Sequence, residues 1–264
     1  MKQYGILANP AGHSLSPVIQ NAAFKELGLD CEYAKYEIPL AEFGEFMERV
    51  KHEPINGLSV SLPYKKDVIP HLNVADDDVK ATGACNTIHN KGGLLYGHNT
   101  DYIGSNRALK EQLTSLEGLN VCVMGTGGAA RAIVYGLKKE GANVFVIGRS
   151  DEKASKFANE MGVSVGDRSM GGDILIQATS IWTLEPQASV EDFCPQEFVA
   201  AFDVVMDIIY KPISTPLLEM AADMGKMIIT GEKMLLYQAA AQFEIWTGEK
   251  APLQVMEDAL LANL

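Results

Sequence analysis

The residues Gly125-Thr126-Gly127-Gly128-Ala129-Ala130 follow the apolar run Val121-Cys122-Val123-Met124 and open a helix-forming stretch. Together they make a G-x-G-x-x-A pattern between a strand and a helix. The first glycine permits a tight turn, and the second lets a pyrophosphate approach the backbone. Small Ala130 lets the helix pack closely on the strand, while free amides at the helix start attract phosphate. A glycine pattern alone would suit any tight strand-to-helix turn, but here strand, turn, helix and a second strand over 144–147 come in order. At the end of that second strand, sites for a free ribose hydroxyl usually place a carboxylate. This chain instead reads Gly148-Arg149-Ser150, with Lys153 just beyond. A guanidinium beside a small hydroxyl suits a ribose 2′-phosphate; a solvated surface arginine is the plain alternative. The expected cofactor is NADP, bound by Gly125, Thr126, Gly127, Gly128, Ala129, Arg149, Ser150 and Lys153.

The elements that must hold this turn alternate along the chain. Before it, strands are predicted over 4–8, 32–38 and 57–62, with helices over 16–27 and 42–50. Ser16 is the expected N-cap of the first helix, with Pro17 at its first position. Residues 84–89 and 94–98 flank Asn90-Lys91-Gly92-Gly93, a hairpin signal. After the glycine turn come a helix over 129–140, strands over 173–177, 204–208 and 227–230, and a helix over 217–224. Helices over 233–246 and 253–261 close the chain. Strand–helix alternation predicts a parallel, doubly wound sheet, so the fold class is α/β.

Composition sets bounds. The 264 residues have room for one large or two modest units, and 47% hydrophobic with 21% charged residues is the balance of a soluble globular chain. No apolar run approaches the ~20 residues of a membrane span, and the start lacks a signal-peptide core, so a cytoplasmic location is expected. A net charge of −12 argues against nucleic acid or an anionic membrane as partner. Cys31, Cys85, Cys122 and Cys194 lack metal-ligand spacing and the histidines do not cluster, so no metal is expected.

Further motifs stand in order along nearly the whole chain. They are Asn9-Pro10-Ala11-Gly12-His13-Ser14-Leu15-Ser16-Pro17, Ser59-Val60-Ser61-Leu62-Pro63-Tyr64-Lys65, Gly83-Ala84-Cys85-Asn86-Thr87 and Asn99-Thr100-Asp101. With them go the nucleotide turn through Arg131, Asp207-Ile208-Ile209-Tyr210-Lys211, and Gly231-Glu232-Lys233-Met234-Leu235-Leu236-Tyr237-Gln238. In this set the chain resembles the shikimate dehydrogenases.

The resemblance implies NADP-linked interconversion of 3-dehydroshikimate and shikimate, a small-molecule substrate. It implies a split substrate domain, 1–103 plus 236–264, with a mixed sheet, and a Rossmann-type NADP-binding domain over 104–235. Lys65 would carry the proton transfer with Asp101 as its partner. Desolvation in a closed cleft would favour the neutral lysine, and Asp101 would oppose that. Ser14 and Ser16 match positions that hold the substrate carboxylate. Ser61, Asn86, Tyr210 and Gln238 match positions around the ring, and Ile208 and Gly231 match positions near the nicotinamide. Asp77 matches an acidic position beside the cofactor only loosely, and the run Asp76-Asp77-Asp78 reads as solvated.

Two departures stand out. Many members have Asn-Ala-Thr and then a glycine where this chain has Gln177-Ala178-Thr179-Ser180-Ile181-Trp182, and glycine where it has Tyr102. Trp182 would either pack in a lid or crowd the cofactor. The alternatives to the main reading are a quinate/shikimate dehydrogenase of broader specificity and a catalytically silent nucleotide-binding regulator. The assembly is expected to be a monomer or homodimer.

Overall fold

The chain passes twice between two folding units. In the computed structural model, which describes residues 1–185 and 187–264, one unit comprises 1–101 with 238–263 and the other 102–237 with Leu264. The expected boundaries were 103/104 and 235/236.

In chain order the first unit holds β1 (Lys2–Ala8), α1 (Ser16–Glu26), β2 (Cys31–Glu37), α2 (Phe43–Val50), β3 (Ile55–Val60), β4 (Val74–Ala75), α3 (Asp77–Thr82), β5 (Thr87–Lys91) and β6 (Leu94–His98). The sheet runs β2-β1-β3-β5-β6-β4. It is mixed: β1 lies parallel to β2 and β3, whereas β5 is antiparallel to both β3 and β6. Its core packs Phe46, Met47, Leu58, Tyr64, Ile88 and Leu95. The hairpin turns more tightly than the sequence suggested. Lys91 pairs with Leu94, and Gly92 and Gly93 alone make the turn at φ 65° and 90°. Two successive positive φ values need glycine, which explains the pair.

Two expectations change in this unit. Ser16 is the first helical residue of α1 and Leu15 its N-cap. The carbonyl of Leu15 accepts from both Val18 and Ile19, and Pro17 brings no N–H. The Ser16 hydroxyl is thereby left for another partner. The run Asp76-Asp77-Asp78 begins α3: Asp76 accepts the Val79 amide at 2.7 Å, and Gly83 ends the helix at φ 61°.

Helix α4 (Asp101–Lys110) starts on the last residue of 1–101 and leads into the second unit, which holds β7 (Asn120–Met124), α5 (Gly128–Lys139), β8 (Asn143–Ile147), α6 (Asp151–Met161), β9 (Ser164–Val165) and β10 (Ile174–Gln177). Short helices α7 (Ile181–Leu184), α8 (Val190–Phe193) and α9 (Gln196–Ala200) lead to β11 (Val204–Asp207), α10 (Pro216–Asp223) and β12 (Met227–Ile229). Helix α11 (Gly231–Thr247) re-enters the first unit at Gln238, and α12 (Leu253–Leu261) follows there. The second sheet is parallel, in the order β12-β11-β10-β7-β8-β9. Its central strands β7, β8, β10 and β11 are apolar and largely buried because helices cover both faces, the Rossmann arrangement. Strand order reverses between β7 and β10, and ligands of open parallel sheets bind beyond the carboxyl ends at that point. Among the described residues, no helix is long and apolar enough to cross a membrane.

Candidate active site

In the first unit, β3 ends at Val60 and the chain turns through Ser61 to Lys65. The turn is pinned at both ends: Ser61 N–H donates to Leu7 O at 2.9 Å, and Cys85 N–H donates to Lys65 O at 2.8 Å. Lys65 Nζ then lies 2.5 Å from Asp101 Oδ2, their side chains only 17% and 7% exposed. Asp101 begins α4, and its backbone N–H is held by Asn99 Oδ1 at 3.0 Å. A carboxylate at a helix start is also favoured by the helix dipole.

Asn86 anchors the pair from behind. Its Nδ2 donates to Asp101 Oδ1 at 2.8 Å and to Thr100 Oγ1 at 2.9 Å. Its Oδ1 accepts from Thr100 N–H and Thr87 Oγ1, each at 2.7 Å. The side chain is 1% exposed, and both ends of its amide are engaged with protein groups. Gln238 joins from α11, its Oε1 3.5 Å from the Asn86 amide, while its carbonyl accepts from Thr100 Oγ1 at 3.1 Å.

The loop after β1 carries Ser14, and Ser16 opens α1. Ser14 Oγ accepts the Ser16 amide at 3.3 Å, and the Ser16 hydroxyl meets that of Tyr33. Tyr33 donates to Ser59 Oγ, which donates to Gln242 Oε1, both at 2.6 Å; Gln242 Nε2 reaches Asn86 O and Thr87 Oγ1. A hydrogen-bonded line thus runs from Ser16 through Tyr33, Ser59 and Gln242 to Asn86 and the Lys65–Asp101 pair. Two side chains from the end of β2 clamp the same loop. Glu37 Oε2 accepts the Ala11 amide at 2.8 Å, and Lys35 Nζ donates to Gly12 O at 2.5 Å. Sequence reasoning missed Tyr33, Ser59, Gln242, Lys35 and Glu37. Only Gln242 left a signal, one helical turn after Gln238.

In the second unit Gly125 has φ 126°, and a Cβ there would meet Ala178 O at 2.8 Å, so only glycine fits. Gly127 caps α5 without a side chain, and a Cβ on it would meet nothing within 4 Å. The amides of Gly128, Ala129 and Ala130 form the helix's first turn behind that open space. The backbone here is open to an approaching anion. Thr126 packs near Gly148. Ser150 caps α6, its Oγ accepting the Lys153 amide at 3.5 Å. Arg149 and Lys153 are exposed at the end of β8. Glycine cradle, helix start and cationic side chains suit a dinucleotide carrying a 2′-phosphate.

Ile208, half-buried Tyr210 and Gly231 lie beyond the ends of β11 and β12. Burial pushes the Tyr210 hydroxyl above its usual range. Trp182 sits in the unit's core with Met124, Leu175 and Phe198, its indole N–H bonded to Ala188 O at 3.2 Å. Tyr102 packs edge-on against Tyr135, with the Lys139 ammonium 4.7 Å from its ring centre.

The shikimate dehydrogenase (NADP(+)) of Pyrococcus furiosus is 40% identical to this chain, over 100% of the chain and 96% of the relative. The chain belongs to the shikimate dehydrogenase family. The shikimate dehydrogenase (NADP(+)) of Nitrosopumilus maritimus is 39% identical over 99% of both. Family models agree: shikimate dehydrogenase substrate binding domain over 6–88, shikimate / quinate 5-dehydrogenase over 107–181, and shikimate 5′-dehydrogenase C-terminal domain over 231–261. The crystal structure of shikimate 5-dehydrogenase from Thermus thermophilus, in complex with NADP(H) and shikimate, superposes with a TM-score of 0.92 at 30% identity, covering 100% of each chain.

Proposed function

We infer that this chain is an NADP-dependent shikimate dehydrogenase that interconverts 3-dehydroshikimate and shikimate. The observation that carries the reading is the largely buried Lys65–Asp101 pair, its carboxylate held by Asn86 and Asn86 in turn by Thr100, in a chain that matches the family along its whole length. The first unit is the substrate domain and the second the NADP domain. Ser14 and Ser16 take the substrate carboxylate. Lys65 accepts the proton of the shikimate hydroxyl during oxidation and returns it during reduction, with Asp101 holding the ammonium in place. A positioned acid–base group of this kind contributes roughly 10²–10⁴-fold. Ser61 and Gln238 complete the first unit's substrate pocket, with Asn86 behind it holding Asp101.

Gly125, Thr126, Gly127, Gly128 and Ala129 would hold the NADP pyrophosphate, with Arg149, Ser150 and Lys153 at the 2′-phosphate and Ile208 and Gly231 beside the nicotinamide. When bound, NADP supplies the hydride acceptor or donor. A cytoplasmic location and a monomeric or homodimeric working form belong to the same proposal.

A silent regulator is not favoured, since such a protein has no need of a buried lysine–aspartate pair. The test is a panel of shikimate and quinate against NADP+ and NAD+, following reduced nicotinamide by absorbance. Turnover is expected with shikimate and NADP+. A protein inert with every combination, or one preferring NAD+, would overturn the reading.

A further inference from the structure

Four segments meet at the carboxyl edge of the second unit's sheet, and backbone contacts tie each to the next. The Gly125 turn lies against Ala178, where a Cβ would approach Ala178 O to 2.8 Å. Ala178 N–H donates to Met124 O at 2.8 Å, and Ile208 N–H donates to Gln177 O at 3.1 Å. Gly231 lies against the next segment, where a Cβ would come within 2.5 Å of Ile208 and Ile209 carbonyl atoms.

Between these contacts sits one buried side-chain pair. Gln177, at the end of β10, is fully buried, as is Asp207 at the end of β11. Gln177 Oε1 accepts the Thr179 amide, while its Nε2 donates to Thr179 O at 3.1 Å and to Asp207 Oδ1 at 3.2 Å. Asp207 also accepts Ile209 N–H at 2.9 Å and Thr215 Oγ1 at 2.7 Å. The glutamine thus grips the loop after its own strand with both ends of its amide and, through the nitrogen, the neighbouring strand's carboxylate as well. An asparagine is one methylene shorter and would draw the amide back from Asp207.

We propose that Gln177 and Asp207 are positioning residues that lock the loops after β10 and β11 into the wall against which the nicotinamide half of NADP lies. The pair acts through Thr179, Ile208 and Ile209 and need not touch the cofactor. Its location follows from the strand-order reversal between β7 and β10, beyond which a dinucleotide binds. The phosphate half belongs to other elements, the Gly127 cradle and Arg149. The proposal rests on the reading of this unit as the NADP domain.

The test uses Gln177→Met, which keeps length and removes the hydrogen bonds, with Gln177→Asn as a second variant should the first fail to fold. Three quantities are read: Kd for NADPH by its fluorescence, kcat with shikimate and NADP+, and the inhibition constant of 2′,5′-ADP, which lacks the nicotinamide half. In either variant Kd for NADPH should rise about tenfold, equivalent to ~1.4 kcal/mol, and kcat should fall. The 2′,5′-ADP constant should stay within about twofold, a split that general damage to the unit would not give. Unchanged Kd and kcat would overturn the proposal, as would a parallel rise in the 2′,5′-ADP constant. A wild type that binds NADPH yet turns over no shikimate would instead refute the functional reading, and the two binding constants would still decide this one.

Discussion

Asn86→Ala removes the side chain on which the site of the first unit hangs. Asn86 makes four short hydrogen bonds, at 2.7, 2.7, 2.8 and 2.9 Å, and one of them ends on the Asp101 carboxylate. At about 1 kcal/mol net each, and more for the charged one, the loss comes to roughly 4 kcal/mol. Thr100 N–H is left buried without its acceptor, so the figure leans upward rather than down. For a domain stable by about 5–15 kcal/mol this is a large fraction. The two tryptophans make the assay selective, since Trp246 lies in the first unit and Trp182 in the second. In a Trp182→Phe background, Trp246 emission during urea unfolding reports the first unit. Asn86→Ala should lower the unfolding free energy read there by about 4 kcal/mol and cut kcat, because Asp101 loses its second anchor. A change below about 1 kcal/mol, or unaltered turnover, would refute the claim that this amide organises the site.

Glu37→Gln weakens the clamp on Ala11 without altering any group assigned to substrate; KM for shikimate should rise a few-fold, with kcat and KM for NADP+ unchanged in steady-state kinetics. Arg149→Gln should raise KM for NADP+ by about ten- to a hundredfold, the worth of one charge-assisted phosphate contact, and leave KM for NAD+ nearly untouched. Burial raises the Asp207 carboxyl from 3.8 to about 6, against the pull of Ile209, Thr215 and Gln177. The native state therefore binds this proton before the unfolded chain does. Its contribution to stability is present below about pH 4 and is lost as pH rises through about 6, by about 3 kcal/mol in all. Urea titrations of wild type and Asp207→Asn across that range should differ by this slope; parallel profiles would contradict the assignment.

The nucleotide turn was legible because part of its requirement is local: Gly125 turns at φ 126°, although the backbone it lies against, Ala178, comes from the end of β10, and small Ala130 is buried where α5 packs on the sheet. The helix and strand around it followed from apolar periodicity. Lys65 and Asp101 were legible only through ordered motifs, since nothing local to either shows that they meet across 36 positions. The Tyr33–Ser59–Gln242 line stayed hidden for the same reason, with its members drawn from β2, β3 and α11. Asp76 looked solvated in a run of three carboxylates. It caps α3 and also meets His98 Nδ1 at 2.9 Å, a contact set by β6 rather than by its neighbours. The departure at Gln177 could be seen in the sequence, but its sense depends on Asp207 lying 3.2 Å away on the next strand. Trp182 likewise packs in the core, where its place depends on α8 and α9 closing over β10.

The most direct test of the account is the turnover of Lys65→Met with shikimate and NADP+, measured beside its affinity for NADPH. Loss of the acid–base group should lower kcat by roughly 10²–10⁴-fold while the NADPH affinity stays at the wild-type value. A Lys65→Met protein that oxidised shikimate at the wild-type rate would contradict the mechanism at its centre.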